Sequence, residues 1–356
     1  MSDSDLSQRQ SRILESMLLG REYAAEDIMG FIDTPSSPAT LRRDTQELER
    51  LGFVIQRGEK RGTRYEKSML GALLSPLDAH AYFTKETDRR NGLRSYQHGL
   101  WDTIPQSFFA EQELDAFDSA TQAYLARSRD VSEVVRAKEL ERFVIELSWK
   151  SSRIEGNTYT LLDTERLIRE GVEAIGHTKD EATMILNHKK AFQYILQTSG
   201  SDDTFTKRFV EDVHSILVEG LGVSRGFRKG AVGITGSSYR PLDIPAQLEE
   251  ETEALYAAAA KLTDPYSQAL LILLGISYIQ PFEDGNKRTA RLMTNAILIS
   301  KDKAPLTYRS VDEIIYSESL LTFYEQLSIV PMKNIFSEQY LFACEQYLKS
   351  SSTQTS

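Results

Sequence analysis

Two apolar segments separated by a short polar loop constrain this chain more than any other stretch. The segment 269–279 is almost wholly apolar, and a second apolar segment spans 292–299. Pro281 predicts the end of the first helix, because the residue before a proline is pushed out of the helical region of backbone angles. Helical periodicity resumes near Thr289, so we expect a helix, a tight loop over 283–288 and a second helix.

The composition of this loop is typical of an anion site. A loop that enters a helix presents free backbone N–H groups at the positive end of the helix dipole. Gly285 permits a left-handed backbone and close approach by a ligand. Lys287, Arg288 and Arg291 add three cations, and the two arginines share one helix face. The set suits an oligophosphate, and Asp284 supplies a hard oxygen ligand for Mg²⁺ on those phosphates.

Residues 280–291 resemble the signature of the Fic (Fido) family, whose pattern runs His-x-Phe-x-Asp/Glu-Gly-Asn-Gly/Lys-Arg-x-x-Arg. The matching residues are Phe282, Asp284, Gly285, Asn286, Lys287, Arg288 and Arg291. The resemblance implies a mostly helical Fic domain that binds ATP and transfers AMP to a Ser, Thr or Tyr hydroxyl of a target protein. It places Gly285, Asn286, Lys287 and Arg288 on the phosphates, Arg291 on the γ-phosphate, and Asp284 on the ATP through Mg²⁺.

One position departs from that pattern. Where the family carries its catalytic histidine, the general base, this chain has Gln280. Glutamine has no titratable nitrogen near neutral pH, so it cannot accept the proton. The phosphate-binding half of the site is present and the proton-transfer half is missing. His214 resembles a framework residue of the family, and we interpret it as structural rather than as a replacement base.

A second motif lies well before the signature, over residues 151–157. It resembles the inhibitory Ser/Thr-x-x-x-Glu-Gly/Asn motif of the family, with Ser151, Glu155 and Gly156 at the matching positions. By resemblance, Glu155 pairs with Arg291 and prevents productive placement of the γ-phosphate. An arginine held bidentately by a carboxylate is not available to a phosphate. An ordinary polar loop is the alternative interpretation.

The resemblance places two further features. Glycines and the alternation of Val232 and Ile234 predict a small β-hairpin within 226–241, similar to the family flap that registers the target by strand addition. The registering stretch comprises Val232, Gly233, Ile234, Thr235 and Gly236. A plain surface hairpin fits these residues as well. Tyr316 is the candidate contact in the adenine pocket, and a core position is the alternative for it.

Residues 1–68 indicate a separate module of three helices and a hairpin, the order of a winged helix-turn-helix. The third helix resembles the Ser-x-x-Thr-Leu-Arg-Arg-Asp segment of DeoR-type regulators. Residues 36–68 carry eight basic and five acidic side chains, whereas the whole chain has a net charge of −10. This local excess of positive charge favours DNA binding. The candidate DNA contacts are Thr40, Arg42, Arg43, Lys60 and Arg61. Protein contacts or dimerisation through this module are the alternative.

The predicted organisation is a winged helix over 1–68, a connecting region over 69–110, a Fic domain with its inhibitory helix over 111–349 and a disordered tail over 350–356. No apolar run reaches the ~18–20 residues needed to cross a bilayer. The single cysteine and the polar N-terminus predict a cytoplasmic protein without membrane contact. A homodimer stays open. The two candidate functions are an AMP transferase impaired by Gln280 and a nucleotide-sensing pseudoenzyme that regulates transcription.

Overall fold

The computed structural model of the protein describes residues 6–32, 37–198 and 206–347, so the predicted tail over 350–356 lies outside the described residues. The mostly helical fold class is confirmed. The chain divides into two compact units. The first comprises Met1–Phe108, Gly233–Arg240 and Glu318–Asn334, and the second comprises Phe109–Val232, Pro241–Ser317 and Ile335–Ser356. These units cut the chain differently from the predicted domains, whose boundaries stay a prediction.

The first unit begins with three helices and a small antiparallel sheet. Its elements are α1 (Gln8–Ser16), β1 (Glu22–Tyr23), α2 (Ala25–Met29), α3 (Pro38–Arg50), β2 (Val54–Arg57), β3 (Arg64–Lys67), α4 (Met69–Leu73) and α5 (Ala79–Phe83). The strand order is β1-β3-β2, with Tyr23 opposite Tyr65 and Val54 opposite Lys67. Ser37 caps α3 by accepting a hydrogen bond from the backbone N–H of Thr40. The fold of this module therefore follows from local caps and a short ladder.

Helices make up most of the second unit. Its elements, together with two helices that continue into the first unit, are α6 (Glu111–Asp130), α7 (Glu133–Ile154), α8 (Leu161–Glu170), α9 (Lys179–Thr198), α10 (Lys207–Leu217), α11 (Pro245–Lys261), α12 (Pro265–Ile279), α13 (Asn286–Ser300), α14 (Glu313–Gln326) and α15 (Val330–Gln346). Every residue of α12 from Tyr266 to Ile279 except Gln268 is buried. A Cβ at Gly275 would lie 2.3 Å from Leu255, so glycine allows α11 and α12 to approach closely. The α12–α13 pair thus forms a buried base for the loop that joins the two helices.

The predicted β-hairpin within 226–241 is not formed. These residues make no strand ladder, and Arg240 forms only an isolated bridge with Ser95. Four glycines interrupt the segment, and the buried guanidinium of Arg228 donates to the carbonyl oxygens of Gly230 and Leu242. The guanidinium thus satisfies one carbonyl group within the segment and one just after it. The segment is a loop with a turn at Thr235.

Among the described helices, none combines the length and apolar character that a bilayer-spanning helix requires.

Candidate functional site

The predicted helix–loop–helix turn forms the centre of the site. Helix α12 ends at Ile279, and Gln280 takes a left-handed backbone with φ 53° and ψ 58°. Gly285 has φ 81° and directly precedes α13, which starts at Asn286, so the predicted loop over 283–288 is wrong for its last three residues. A Cβ at Gly285 would lie 3.3 Å from Val218, in addition to the strain of its backbone angles. The backbone angles therefore favour glycine at this position, and any other residue would also need a small shift of Val218.

The side chain of Gln280 is held inside the loop. Its Nε2 atom donates to the carbonyl oxygen of Ser277 at 2.6 Å, and its Oε1 atom accepts from Asn286 Nδ2 at 2.9 Å. The residue is 8% exposed. One lone pair of Oε1 remains, which can accept a hydrogen bond but cannot hold a proton at neutral pH. Gln280 is thus placed to fix the loop and, at most, to orient a hydroxyl group.

Asn286 closes the loop from the helix side. Its Oδ1 atom accepts from the backbone N–H of Phe282 at 2.9 Å, and its Nδ2 atom donates to the carbonyl oxygen of Phe282 at 2.8 Å. The residue is buried, and its amide is used by the loop. Any contact of Asn286 with a phosphate would therefore come from its backbone N–H rather than from its side chain.

Arg228 is a functional-loop residue that no sequence signal marks. Its Nε atom donates to the carbonyl oxygen of Gln280 at 2.7 Å, and its backbone N–H donates to that of Pro281 at 2.9 Å. The side chain is buried. Arg228 lies 52 residues before Gln280 in the chain, and its own glycine-rich segment shows no pattern that predicts this contact. Only the structure therefore identifies Arg228.

Two buried arginines project from the first turns of α13. Arg288 donates to Asp284 Oδ2 at 3.1 Å, and burial lowers the pKa of its guanidinium. Arg291 is wholly buried. Within residues 6–32, 37–198 and 206–347, neither Arg288 Nη1 nor Arg291 Nη1 has a hydrogen-bond partner. Unsatisfied buried donors are costly, so these atoms fit a place where the oxygen atoms of a ligand would bind.

Glu155 joins two of the three cations in the loop. Its Oε1 atom accepts from Arg291 Nη2 at 2.9 Å, and its Oε2 atom accepts from Lys287 Nζ at 3.2 Å. The predicted pair is therefore present, but the carboxylate bridges two cations instead of holding Arg291 bidentately. Burial opposes ionisation of Glu155, yet Arg291 and Lys287 outweigh it, and the pKa of the carboxyl lies below its usual value.

Ser151 and Gly156 place Glu155 at the end of α7. Ser151 accepts from Arg291 twice, through its Oγ atom at 2.7 Å and its carbonyl oxygen at 2.8 Å. Gly156 has φ 92°, a conformation that ends the helix directly after Glu155. The three residues of the predicted inhibitory motif thus lie together at the base of the loop.

His188 joins this cluster without a sequence signal. Its Nε2 atom lies 2.7 Å from Ser151 Oγ, which already accepts from Arg291. A hydrogen bond therefore links the ring of His188 to the serine hydroxyl that binds Arg291. Burial, followed by the charges of Arg291 and Arg288, holds the pKa of His188 well below its usual value. In the sequence, His188 is only one of several residues on the apolar face of an amphipathic helix, and no motif marks it as part of the site.

Tyr316 lies against the arginine cluster. Its ring is 1% exposed, and the guanidinium carbon of Arg291 lies 5.6 Å from the ring centroid. Cation–π contact of this kind supports the position of the arginine. A contact of Tyr316 with adenine stays a prediction.

Asp284 is the predicted metal ligand. Its side chain is 67% exposed and is paired with Arg288. The described part of the chain contains no group of three or more His, Cys, Asp or Glu side chains arranged to hold a metal ion. Asp284 would therefore bind Mg²⁺ only together with oxygen atoms of a bound phosphate.

The predicted flap residues are divided between the two units, and the predicted DNA-contact residues belong to the first unit. Val232 belongs to the second unit, whereas Gly233, Ile234, Thr235 and Gly236 belong to the first. Arg42, Arg43 and Lys60 are exposed, and Thr40 is half-buried beside Ser37. The side chain of Arg61 lies outside the described residues. The roles of these residues in target and DNA contact stay predictions.

Comparison with known proteins places the signature loop in a recognised family. Residues 204–298 match the Fic/DOC family model, so the chain contains a Fic/DOC domain. Protein adenylyltransferase Fic of Aedes aegypti is 26% identical over 223 residues, covering 62% of this chain and 42% of that protein. The Nematostella vectensis protein of the same name is 27% identical over 176 residues, covering 48% and 41%. The chain thus spans about two fifths of the length of these relatives.

A solved structure supports the fold. The crystal structure of a Fic family protein from Desulfovibrio desulfuricans G20 has a TM-score of 0.56 and 18% sequence identity, covering 68% of this chain and 75% of that one. At this identity the similarity concerns the fold alone.

Proposed function

We propose that this site binds ATP with Mg²⁺ and transfers AMP to a hydroxyl side chain of a target protein, with Glu155 as its inhibitor. The single observation that carries the proposal is the bridge from Glu155 to Arg291 and Lys287. The Glu155 carboxylate already binds Arg291 and Lys287, two cations that are suited to bind a phosphate group. The relatives named protein adenylyltransferase support this reaction class, although each is matched over only part of its length.

The residues present fit a triphosphate. The first backbone N–H groups of α13 have no acceptor within the helix, and they lie at the positive end of its dipole. The unpartnered Nη1 atoms of Arg288 and Arg291 add two donors on side chains that cannot lose their charge. Asp284 would hold Mg²⁺ against the phosphates, and the metal ion would supply charge neutralisation there. Each of these contacts is to phosphate oxygen.

Inhibition follows from competition for the same donors. The Glu155 carboxylate makes charge-assisted hydrogen bonds to Arg291 and Lys287. Each such bond contributes about 1.5–3 kcal/mol, so a γ-phosphate has to displace a strongly held anion before Arg291 can bind it. Like charges on Glu155 and the phosphate also repel. ATP that does enter would therefore be bound weakly and with its γ-phosphate misplaced.

Gln280 determines how fast the reaction proceeds. The oxygen of the target hydroxyl replaces pyrophosphate at the α-phosphorus, and its proton must pass to water because Gln280 cannot hold it. General-base catalysis typically contributes ~10²–10⁴-fold. The remaining rate comes from positioning and from charge neutralisation by the cations. We therefore expect slow turnover even after inhibition is removed.

Incorporation of AMP from α-labelled ATP tests the proposal. The measurement uses Glu155→Gly alone and Glu155→Gly with Gln280→His, each incubated with a cell lysate and by itself. We expect the double variant to label protein ~10²–10⁴-fold faster than the single variant. Addition of Arg291→Ala to the double variant is the control and should abolish labelling. A double variant that is folded, binds ATP and labels no protein would contradict AMP transfer.

A second candidate is a nucleotide-sensing regulator of transcription. Two observations favour it: both ends of the Gln280 amide are used by the loop, and Arg42 and Arg43 are exposed on α3. In this case the N-terminal module acts as a winged helix on DNA, and the Fic domain binds ATP without turnover. ATP binding by variants that never label protein would favour this function.

A further inference from the structure

Lys67 is a buried cation without a counter-ion. It is the last residue of β3, and it is only 4% exposed. Its Nζ atom has one hydrogen bond in the described part of the chain, a long one of 3.4 Å to Ser75 Oγ. No carboxylate among the described residues lies within ion-pair distance of it. An ammonium group offers three donors, so two are left unused.

This arrangement is unfavourable unless another group completes it. Burial of an ammonium group without a paired charge destabilises the folded state even after relaxation. Burial lowers the pKa of Lys67 to about 8, and Glu15 opposes that shift from beyond contact distance. Lys67 therefore still carries its charge for most of the time at pH 7. A buried and charged lysine with unused donors can bind an anion.

A cavity lies beside Lys67. It has a volume of about 230 Å³ and is lined by Lys67, Arg21, Asn91, Gln326, Leu19 and Leu93, among others. Arg21 forms no ion pair with any residue that the structure describes, and its guanidinium lies over the ring of Tyr23 at 5.2 Å. Two cations that lack carboxylate partners thus share one small cavity that also has amide and apolar walls.

Among the residues that line this cavity, Glu325 alone carries a carboxylate, and that group already has hydrogen-bond partners. Glu325 accepts from Arg90 through Nε and Nη2, both at 3.0 Å, from the Tyr82 hydroxyl at 2.8 Å and from Ser237 Oγ at 2.7 Å. Its charge is balanced by Arg90, which is equally buried. Glu325 therefore does not neutralise Lys67, and the cavity keeps an excess of positive charge.

We propose that this cavity binds a small organic anion whose carboxylate or phosphate group pairs with Lys67 and Arg21. The side-chain amide of Asn91 would bind a polar group of the same ligand, and Leu19 and Leu93 would contact its carbon atoms. The volume suits a small metabolite rather than a nucleotide, because pockets for drug-sized ligands begin at about 300 Å³. This site is independent of the ATP site and of AMP transfer.

Nuclear magnetic resonance of the full chain with ¹³C-labelled lysine tests the proposal. The Lys67 signal is identified by its loss in Lys67→Met, and the protein is titrated at pH 7 with inorganic phosphate and, separately, with succinate at matched ionic strength. We expect a saturable shift of the Lys67 signal with at least one of the two probes. A response to phosphate alone assigns a phosphate ligand, and a response to succinate alone assigns a carboxylate.

Arg21→Gln and Arg64→Gln form a matched pair of variants. Arg21→Gln removes the second cation from the cavity and should weaken binding of the responding probe about ten- to a hundredfold, the effect of one lost charge-assisted bond. Arg64→Gln changes an arginine that lies on β3, the strand of Lys67, but outside the cavity, and it should leave binding unchanged. A Lys67 signal that neither probe moves beyond the effect of chloride, or equal effects of the two variants, would overturn the proposal. If Lys67→Met fails to fold, the Lys67 signal is identified by its loss in Lys67→Arg, and Arg21→Gln still tests the site because Arg21 is exposed.

Discussion

His214 shows how a buried ring can hold a loop in place. It stacks on Phe282 with ring centroids 3.7 Å apart, and its Nε2 atom donates to the carbonyl oxygen of Asp284 at 3.0 Å. Burial, only partly offset by that hydrogen bond, lowers the pKa of the ring to about 4. The imidazole is therefore neutral at physiological pH and acts as a rigid donor.

The lowered pKa of His214 predicts acid sensitivity. Below its ordinary pKa of 6.5 the unfolded chain takes up a proton that the folded chain does not take up until about pH 4. The unfolded state thus binds more protons in this window, and stability falls as pH falls by ~1.4 kcal/mol per unit, up to about 3 kcal/mol. His214→Asn keeps a donor for Asp284 but does not titrate. Chemical denaturation at pH 7 and pH 4.5 should show a smaller acid loss for this variant than for the wild type, and equal losses would contradict it.

At the scale of elements, backbone preferences of single residues can be predicted from the sequence, whereas contacts between distant residues cannot. Pro281 and Gly285 fix the loop between α12 and α13 through their own backbone preferences, so the loop can be read from sequence. His188 and Arg228 cannot be read in this way, because their partners lie 37 and 52 residues away in the chain. The hairpin prediction over 226–241 was wrong, because alternating apolar residues in a segment with four glycines formed a loop without a strand ladder.

Helix α3 carries the prediction that concerns DNA. Arg43 is exposed and forms no ion pair with any described residue, whereas Arg50 on the same helix is paired with Glu47. If α3 contacts phosphates, Arg43→Gln should weaken binding to the DNA upstream of the gene and reduce the slope of log affinity against log salt by about 1. Arg50→Gln is the matched control and should change the slope less. Fluorescence anisotropy measures both, and absence of binding at low salt would exclude DNA as a partner.

At the scale of the whole molecule, two sequence motifs predicted which residues meet, whereas the division of the chain into two units was not predicted. Asp284 to Arg291 and Ser151 to Gly156 are far apart in sequence, and the structure brings them together as the resemblance implies. The two compact units were not predicted, because residues 233–240 and 318–334 join the N-terminal segment through contacts that sequence periodicity does not record. The buried Lys67 likewise looked like one more basic residue of the hairpin.

The central claim is that Glu155 competes with ATP for Arg291. Isothermal titration calorimetry with ATP and Mg²⁺ tests this claim most directly. It compares the wild type with Glu155→Gly. The control is Glu283→Gln, which removes an exposed carboxylate from the loop between α12 and α13. We predict that Glu155→Gly lowers the Kd for ATP about ten- to a hundredfold, because the displaced carboxylate no longer has to leave. Glu283→Gln should bind like the wild type. Equal dissociation constants for the wild type and Glu155→Gly would contradict the account.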